Sequence, residues 1–330
     1  MSHGHTAPPP YPEGWYCLGL SRELRPGDVR ALTVFGGPRV LFRTADGAPA
    51  LLDAHCPHLG AHLGYGGRVE GETLRCPMHG FCFGPDGECT STPYGSKPPA
   101  RARSHATPLV ERHGLLLAWH GAEHPRWAFP ALDDTGYRPL VSETIDVRTH
   151  VQEIVENSVD IGHFPEVHGY RDVVELAPVQ VDGPLLRARY AFTRTNPFAA
   201  SLGPIRVTIA VSVYGLGVSM VDACTEPYGM RTRLFVLPTP VAERQTCLRI
   251  ACTLPTPSDA GLPLSLVPPS LLQRLVMKGY CADVLQDFDI WEHKAWIHPP
   301  ALAPGDGPIG RYRSWARQFY TTAAPEETHP

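Results

Sequence analysis

Two short loops, "CPHLG" at residues 56–60 and "CPMHG" at 76–80, constrain this chain more than anything else in it. They carry Cys56-x-His58 and, seventeen residues further on, Cys76-x2-His79. Four such ligands in paired loops point to one metal centre, with the chain between them folded so that the loops lie side by side. Zn²⁺ accepts two Cys and two His tetrahedrally. The alternative is a [2Fe-2S] centre in which one iron takes two Cys and the other two His. Zinc ribbons usually pair their ligands as C-x2-C or H-x3-H, whereas here each loop supplies one Cys and one His. Pro and Gly in both turns leave backbone N–H groups free to face cluster sulfurs, and the flanking strands suit two loops closing over a cluster. These features favour iron.

The rest of the chain is that of a globular protein. It has 330 residues, 43% hydrophobic and 19% charged, enough for two domains. A net charge of −4 gives no reason to expect nucleic acid or an anionic membrane as partner. The polar, Pro-rich opening "MSHGHTAPPPYPEG" does not read as a signal peptide, and no run reaches transmembrane length. The expectation is a soluble cytoplasmic protein, with His3 and His5 in a frayed terminus. Nine Cys, an odd number scattered along the chain, argue against a disulfide framework, and Cys17, Cys224, Cys247, Cys252 and Cys281 read as small core residues.

Gly (31) and Pro (36) punctuate short segments throughout. From Trp15 to about His120 short strands alternate with turns, "ADG" and "PDG" among them, which predicts a small all-β domain. After a Pro-rich link the texture changes. "DVRTHVQEIVENSVDIGHF" has apolar residues at helical spacing and predicts a helix ending before Pro165. Four longer apolar or alternating runs between residues 185 and 254 predict an antiparallel sheet of at least four strands. "PPSLLQRLVMKGYCADVLQDFDIWEHKAW" predicts one long helix starting at Pro269 and Ser270, and "PIGRYRSWARQFY" a last one. The fold class is therefore α+β, with an all-β domain over 13–122, a sheet-plus-helices domain over 123–320, and flexible tails at 1–12 and 321–330.

With those residues in view, "CPHLGAHL…CPMHGFCF" resembles the Rieske motif in both halves. The resemblance implies that Cys56, His58, Cys76 and His79 hold the cluster, leaving His55, His62, Cys82 and Cys89 as bystanders. Respiratory Rieske proteins carry an additional Cys in each loop, joined as a disulfide. Ala61 and Met78 stand at those positions, so the chain resembles the Rieske domains of soluble oxygenases instead.

An electron carrier needs about a hundred residues, so the remainder requires its own account. In "ENSVDIGHFPEVHGY", His163 and His168 are five apart, about 140° on a continuous helix, and do not match the i, i+4 spacing of HExxH. Pro165 is expected to break the helix between them and let both imidazoles converge. Asn157, Asp160, His163 and His168 together resemble the ligand signature of the Rieske non-haem iron oxygenases. That resemblance implies Fe(II) held by His163, His168 and a carboxylate from the C-terminal helix. Asp283, Asp287, Asp289 and Glu292 are available there. "QDFDIW" matches the family context at Asp287. Asp283, a turn earlier, is the runner-up, and Asp289 points about 160° away on a continuous helix. Asp160 is implied to bridge the cluster of one subunit and the iron of the next, with Asn157 nearby, which implies a head-to-tail homotrimer.

The resemblance spans roughly residues 13–320. The C-terminal stretch is similar to 3-ketosteroid 9α-hydroxylases and cholesterol 7-desaturases. It implies an oxygenase component that uses O₂ and NAD(P)H electrons passed on by a separate ferredoxin or flavin reductase, since no GxGxxG fingerprint is present. The implied substrate is a bulky apolar sterol, terpenoid or secondary metabolite, hydroxylated or desaturated; cyclisation, dealkylation and aromatic-ring hydroxylation are alternatives on the same scaffold. Side chains in "FTRTNPFAASLGPI" are candidates for the pocket wall. A Rieske electron-transfer or sensor protein without oxygenase activity is the competing class.

Overall fold

Short strands of two to seven residues, separated by turns rich in Gly, Pro and Asp, make up residues 14–120. The computed structural model describes residues 7–196, 203–226, 228–256 and 266–320. Three antiparallel sheets form the N-terminal part. One joins Gly14–Leu20, Leu115–His120 and Leu109–Arg112. The second joins Val29–Val34, Gly37–Arg43, Pro49–Asp53 and Ala106–Thr107. The third is built from Arg68–Glu70, Thr73–Arg75, Cys82–Phe83 and Cys89–Ser91, and it carries the second Cys/His loop. Part of the stretch assigned to the N-terminal tail is held in place. The Pro9 carbonyl accepts from His150 Nε2 at 3.0 Å, and the Pro12 carbonyl accepts from the Tyr16 hydroxyl at 2.7 Å.

The C-terminal part is a seven-stranded antiparallel sheet. Across the sheet the order is Val141–Val147, Gln245–Thr253, Met230–Ala242, Val218–Glu226, Ile205–Tyr214, Leu185–Arg194 and Arg171–Asp182. The four apolar runs account for the five central strands. The two edge strands escape a reading by apolar pattern, since Arg171–Asp182 is largely exposed and its pairing is interrupted by register shifts.

Strand alternation then assigns the two faces. Val218, Met220, Phe235, Leu237 and Ala251 pack against Trp15, Cys17, Leu117 and Trp119 of the N-terminal part. The intervening residues face the helices α1 (Val151–Glu156), α2 (His163–His168), α3 (Pro269–Leu285), α4 (Phe288–His293) and α5 (Ile309–Ala316). Gly217, in the turn between two strands, sits where the parts meet: a Cβ there would lie 2.2 Å from the Trp15 carbonyl oxygen.

Two helix expectations need correction. The helix predicted to run to Pro165 stops at Glu156, and the chain turns through 157–162 before α2 begins at His163. Pro165 therefore does not separate the two His. It sits in the first turn of α2, where its missing N–H costs nothing. The long C-terminal helix is also two: α3 ends at Leu285, and α4 starts at Phe288 with Asp287 as its N-cap residue.

Candidate functional site

The two Cys/His loops have the same backbone. The Cys56 N–H donates to the Ala61 carbonyl (2.8 Å) and the Gly60 N–H to the Cys56 carbonyl (2.9 Å). In the second loop the Cys76 N–H donates to the Phe81 carbonyl (2.8 Å) and the Gly80 N–H to the Cys76 carbonyl (3.1 Å). Both Cys side chains point inward and are buried. The His58 and His79 rings meet edge to face with centroids 4.7 Å apart, and His58 is stacked flat on Phe81 at 4.4 Å.

This set fits a cluster. His58 Nδ1 is buried with no hydrogen-bond partner among the described residues, an orphan that a metal would satisfy. Burial, and the neighbouring Cys76 thiol, push the Cys56 thiol up to about 11, so a metal is needed to hold it as thiolate. The bystanders are occupied elsewhere. His55 pairs with His62 across an antiparallel bridge, and His62 Nδ1 accepts from the Gly64 N–H at 3.1 Å. Cys82 and Cys89 direct their thiols at the Gly80 and Ser91 carbonyls. Leu59, Tyr65, Met78 and Tyr94 leave an apolar surface around this end of the domain.

His163, His168 and Asp287 form the second group, their ligand atoms all within 4.8 Å of one another. His163 and His168 stand at the two ends of α2, with rings 5.1 Å apart. Their Nε2 atoms lie 4.0 and 3.8 Å from the Asp287 carboxylate. The His168 ring is aimed by its other nitrogen, since Nδ1 is 3.0 Å from Gln286 Oε1. His163 Nδ1 lies 3.5 Å from Asp160 Oδ1, close but without a hydrogen bond among the described residues. The Asp160 carboxylate also accepts the His163 backbone N–H at 3.3 Å, so it shapes the start of α2.

Burial pushes the Asp287 carboxyl above its ordinary range, against the pull of His168, His163 and an Asn157 hydrogen bond. Burial also acts to raise Asp160, but the hydrogen bond and charge of His163 bring it net below. Two imidazoles and one carboxylate converging from one side, with the other side open to a cavity, fit a mononuclear iron of the two-His-one-carboxylate type.

The other acidic residues of the C-terminal helices are elsewhere. Asp283 is held by Arg194 in a two-pronged pair at 2.5 and 2.8 Å, Asp289 is exposed, and Glu292 accepts the Arg148 N–H. Because the chain breaks at Gln286 and Asp287, the single-helix angles used to rank these carboxylates do not apply. Gln286, Arg194 and Tyr170 carry no signal in the sequence that would have singled them out.

The second group opens onto a cavity of about 860 Å³, near the upper end of the usual range for small-molecule sites. Its floor is the sheet, through side chains such as Phe192, Val207, Ile209 and Val221, and its roof is α3. Of the stretch singled out for the wall, Phe192, Arg194 and Ile205 line the cavity, while 197–202 lie outside the described residues.

Comparison with known proteins agrees over both parts. Residues 14–107 match the Rieske [2Fe-2S] domain family and residues 118–320 the 3-ketosteroid 9α-hydroxylase C-terminal domain family. A probable 3-ketosteroid-9-alpha-monooxygenase oxygenase component of Rhodococcus rhodochrous is 31% identical over 96% of this chain and 81% of its own length. A cholesterol 7-desaturase of Xenopus laevis is 28% identical over 97% of this chain and 74% of its own. Among solved structures, dicamba monooxygenase bound to 3,6-dichlorosalicylic acid superimposes with a TM-score of 0.75 at 22% identity, covering 93% of this chain and 96% of that one.

Proposed function

The chain belongs to the Rieske oxygenases that carry a 3-ketosteroid 9α-hydroxylase C-terminal domain, an oxidoreductase family, and from that premise we propose that it hydroxylates or desaturates a bulky apolar molecule of the sterol, terpenoid or secondary-metabolite type. The observation that carries the reading is the opening of the His163–His168–Asp287 group onto an apolar cavity large enough for a fused-ring molecule. The sterol-acting relatives support the same substrate class.

Cys56, His58, Cys76 and His79 hold the [2Fe-2S] cluster, and His163, His168 and Asp287 hold the iron. Bound there, iron would supply the activation of O₂, with electrons drawn from NAD(P)H through a separate reductase and the cluster. Gln286 keeps the His168 imidazole aimed, Asp160 stands beside that of His163, and Asn157 steadies Asp287. The apolar roof and floor exclude water beside the reacting carbon.

Asp160 bridges to a Rieske His of a neighbouring subunit; its side chain is 32% exposed, which leaves the carboxylate open to a donor from outside. The apolar rim of Leu59, Tyr65, Met78 and Tyr94 supports docking of that neighbour, in a homotrimer. We put the domain boundary near residue 122, a reading supported by family matches that end at residue 107 and begin again at 118. No helix among the described residues is long and apolar enough to cross a membrane, and we place the protein in the cytoplasm on the absence of a paired-Cys framework.

The test is a screen of sterols and polycyclic compounds with a surrogate reductase, read by mass spectrometry for the gain of one oxygen or the loss of two hydrogens. A parallel iron assay expects two irons from the cluster and one from the second site. An Asp287→Ala variant keeps the cluster's visible spectrum and loses the third iron. If the wild-type protein binds only the cluster irons and consumes no O₂ with any compound, it is an electron carrier.

A further inference from the structure

Seven threonines are buried among the described residues, and five of them spend the hydroxyl on a partner. Thr44 donates to the Ala48 carbonyl, Thr149 to the Glu153 carboxylate, Thr239 to the Cys17 carbonyl, Thr246 to the Thr149 carbonyl and Thr253 to the Arg138 carbonyl. The other two, Thr225 and Thr232, are 6% and 5% exposed and make no hydrogen bond to another described residue. Both line the cavity. Neither oxygen is among the sealed, unpaired side-chain atoms, so both are open to the cavity, where a ligand oxygen would give them a partner.

Register places them together. Thr225 pairs with Met230, and Ala223 pairs with Thr232, so the two threonines are diagonal neighbours on the same face of adjacent strands. Diagonal Cβ atoms are about 7 Å apart, a spacing at which two hydroxyls can reach one oxygen between them. Register also sets how far they stand from the strand that α2 contacts. α2 meets the sheet through Phe164 against Phe192, with rings 5.6 Å apart. Phe192, Val207 and Thr225 form one cross-strand row, which puts Thr225 two strand spacings, about 10 Å, from that wall. Tyr190, Ile209, Ala223 and Thr232 form the next row, three spacings or about 14 Å long.

Among the other polar groups of the wall, which include Lys278 and Tyr280 of α3, two pairs are engaged. Arg194 is bound to Asp283, and Ser158 to Ser219 at 3.2 Å. The Tyr190 hydroxyl is also unpaired, but its oxygen is sealed from a ligand.

We infer that Thr225 and Thr232 form the polar anchor of the substrate site, binding a ketone or hydroxyl oxygen at the end of a rigid, otherwise apolar polycycle opposite the carbon that reacts. The inference rests on the oxygenase reading and narrows its substrate to an oxygen-bearing skeleton. The anchor fixes which carbon lies beside His163 and His168.

The test compares 5α-androstan-3-one with 5α-androstane, its parent hydrocarbon, by quenching of tryptophan fluorescence in the iron-loaded protein. Wild type is expected to bind the ketone at least about tenfold more tightly. Thr225→Val/Thr232→Val, nearly isosteric, loses that preference and leaves the androstane Kd unchanged, while Thr225→Ser/Thr232→Ser keeps it. Equal binding of both probes by wild type, no binding of either, or a preference that survives in the valine variant overturns the anchor.

Turnover separates this from the oxygenase reading. Preferential ketone binding with no product in the presence of a reductase retains the anchor and counts against the reaction. One product, formed with the same regiochemistry by wild type and the valine variant, retains the reaction and removes the anchor.

Discussion

His150 shows how tightly the start of α1 is specified. Its Nδ1 accepts the Gln152 N–H at 3.0 Å, capping α1, and its Nε2 faces the Pro9 carbonyl at 3.0 Å. Both contacts require the neutral ring with its proton on Nε2. Burial is the main cause that pushes its pKa down to about 4, so the folded protein resists protonating it. Above the ordinary value near 6.5 both states are neutral and nothing is gained or lost. Between about 6.5 and 4 only the unfolded chain binds the proton, so stability falls as pH falls, by roughly 3 kcal/mol over the whole window. Urea midpoints at pH 7 and pH 5 check this, and His150→Gln is expected to flatten the part of the slope that His150 contributes. Gln286 is the second residue with a sharp expectation. Gln286→Leu leaves the fold intact but frees the His168 ring, and iron affinity is expected to drop about 10- to 100-fold, read by iron titration into the apoprotein.

At the scale of elements, the site depends on two breaks. The turn at 157–162 starts α2 afresh at His163, and the break at Gln286 and Asp287 turns α4 away from α3. Each break delivers a member of the His163–His168–Asp287 group at a helix end, where the backbone can aim a side chain that a continuous helix would carry elsewhere. α3 also roofs the cavity, anchored by Met277 and Val284 against Leu248, Ile250 and Cys252 of the sheet. Met277→Ala is therefore expected to cost about 2–5 kcal/mol and to weaken substrate binding together with stability, measured as Tm and Kd on the same preparation. A change in Tm with no change in Kd would mean that the roof is set by other contacts.

For the whole molecule, the two parts are joined by a shared core rather than a wet interface. Trp15, Leu20, Leu117 and Trp119 interleave with Val218, Met220, Phe235 and Leu237. Arg249 adds a link to Glu23 at 3.1 Å. A core shared this way predicts that the two parts unfold together. Cluster absorbance and tryptophan fluorescence should therefore lose their native values at one denaturant concentration. Gly217→Ala places a Cβ against the Trp15 carbonyl and is expected to lower the common transition by about 1–3 kcal/mol, an overpacking cost.

The family was legible because the residues that mark it are a matter of residue type and local spacing. Cys56, His58, Cys76 and His79 sit in two loops short enough to read as they stand, and the all-β to α+β change follows from segment length and apolar period. In the sequence Asp287 stood only as the best of several carboxylates. What sets Asp283 apart from the His163–His168–Asp287 group is its pairing with the guanidinium of Arg194, 89 residues away in sequence. The helix breaks were misread because apolar spacing does not report where a backbone turns once tertiary contacts outweigh propensity. The cavity and its two unpaired threonines belong wholly to the tertiary structure. Whether a hydroxyl has a partner depends on which strands lie side by side and in what register, and that is decided when the sheet closes, not by the neighbours of Thr225 and Thr232 along the chain.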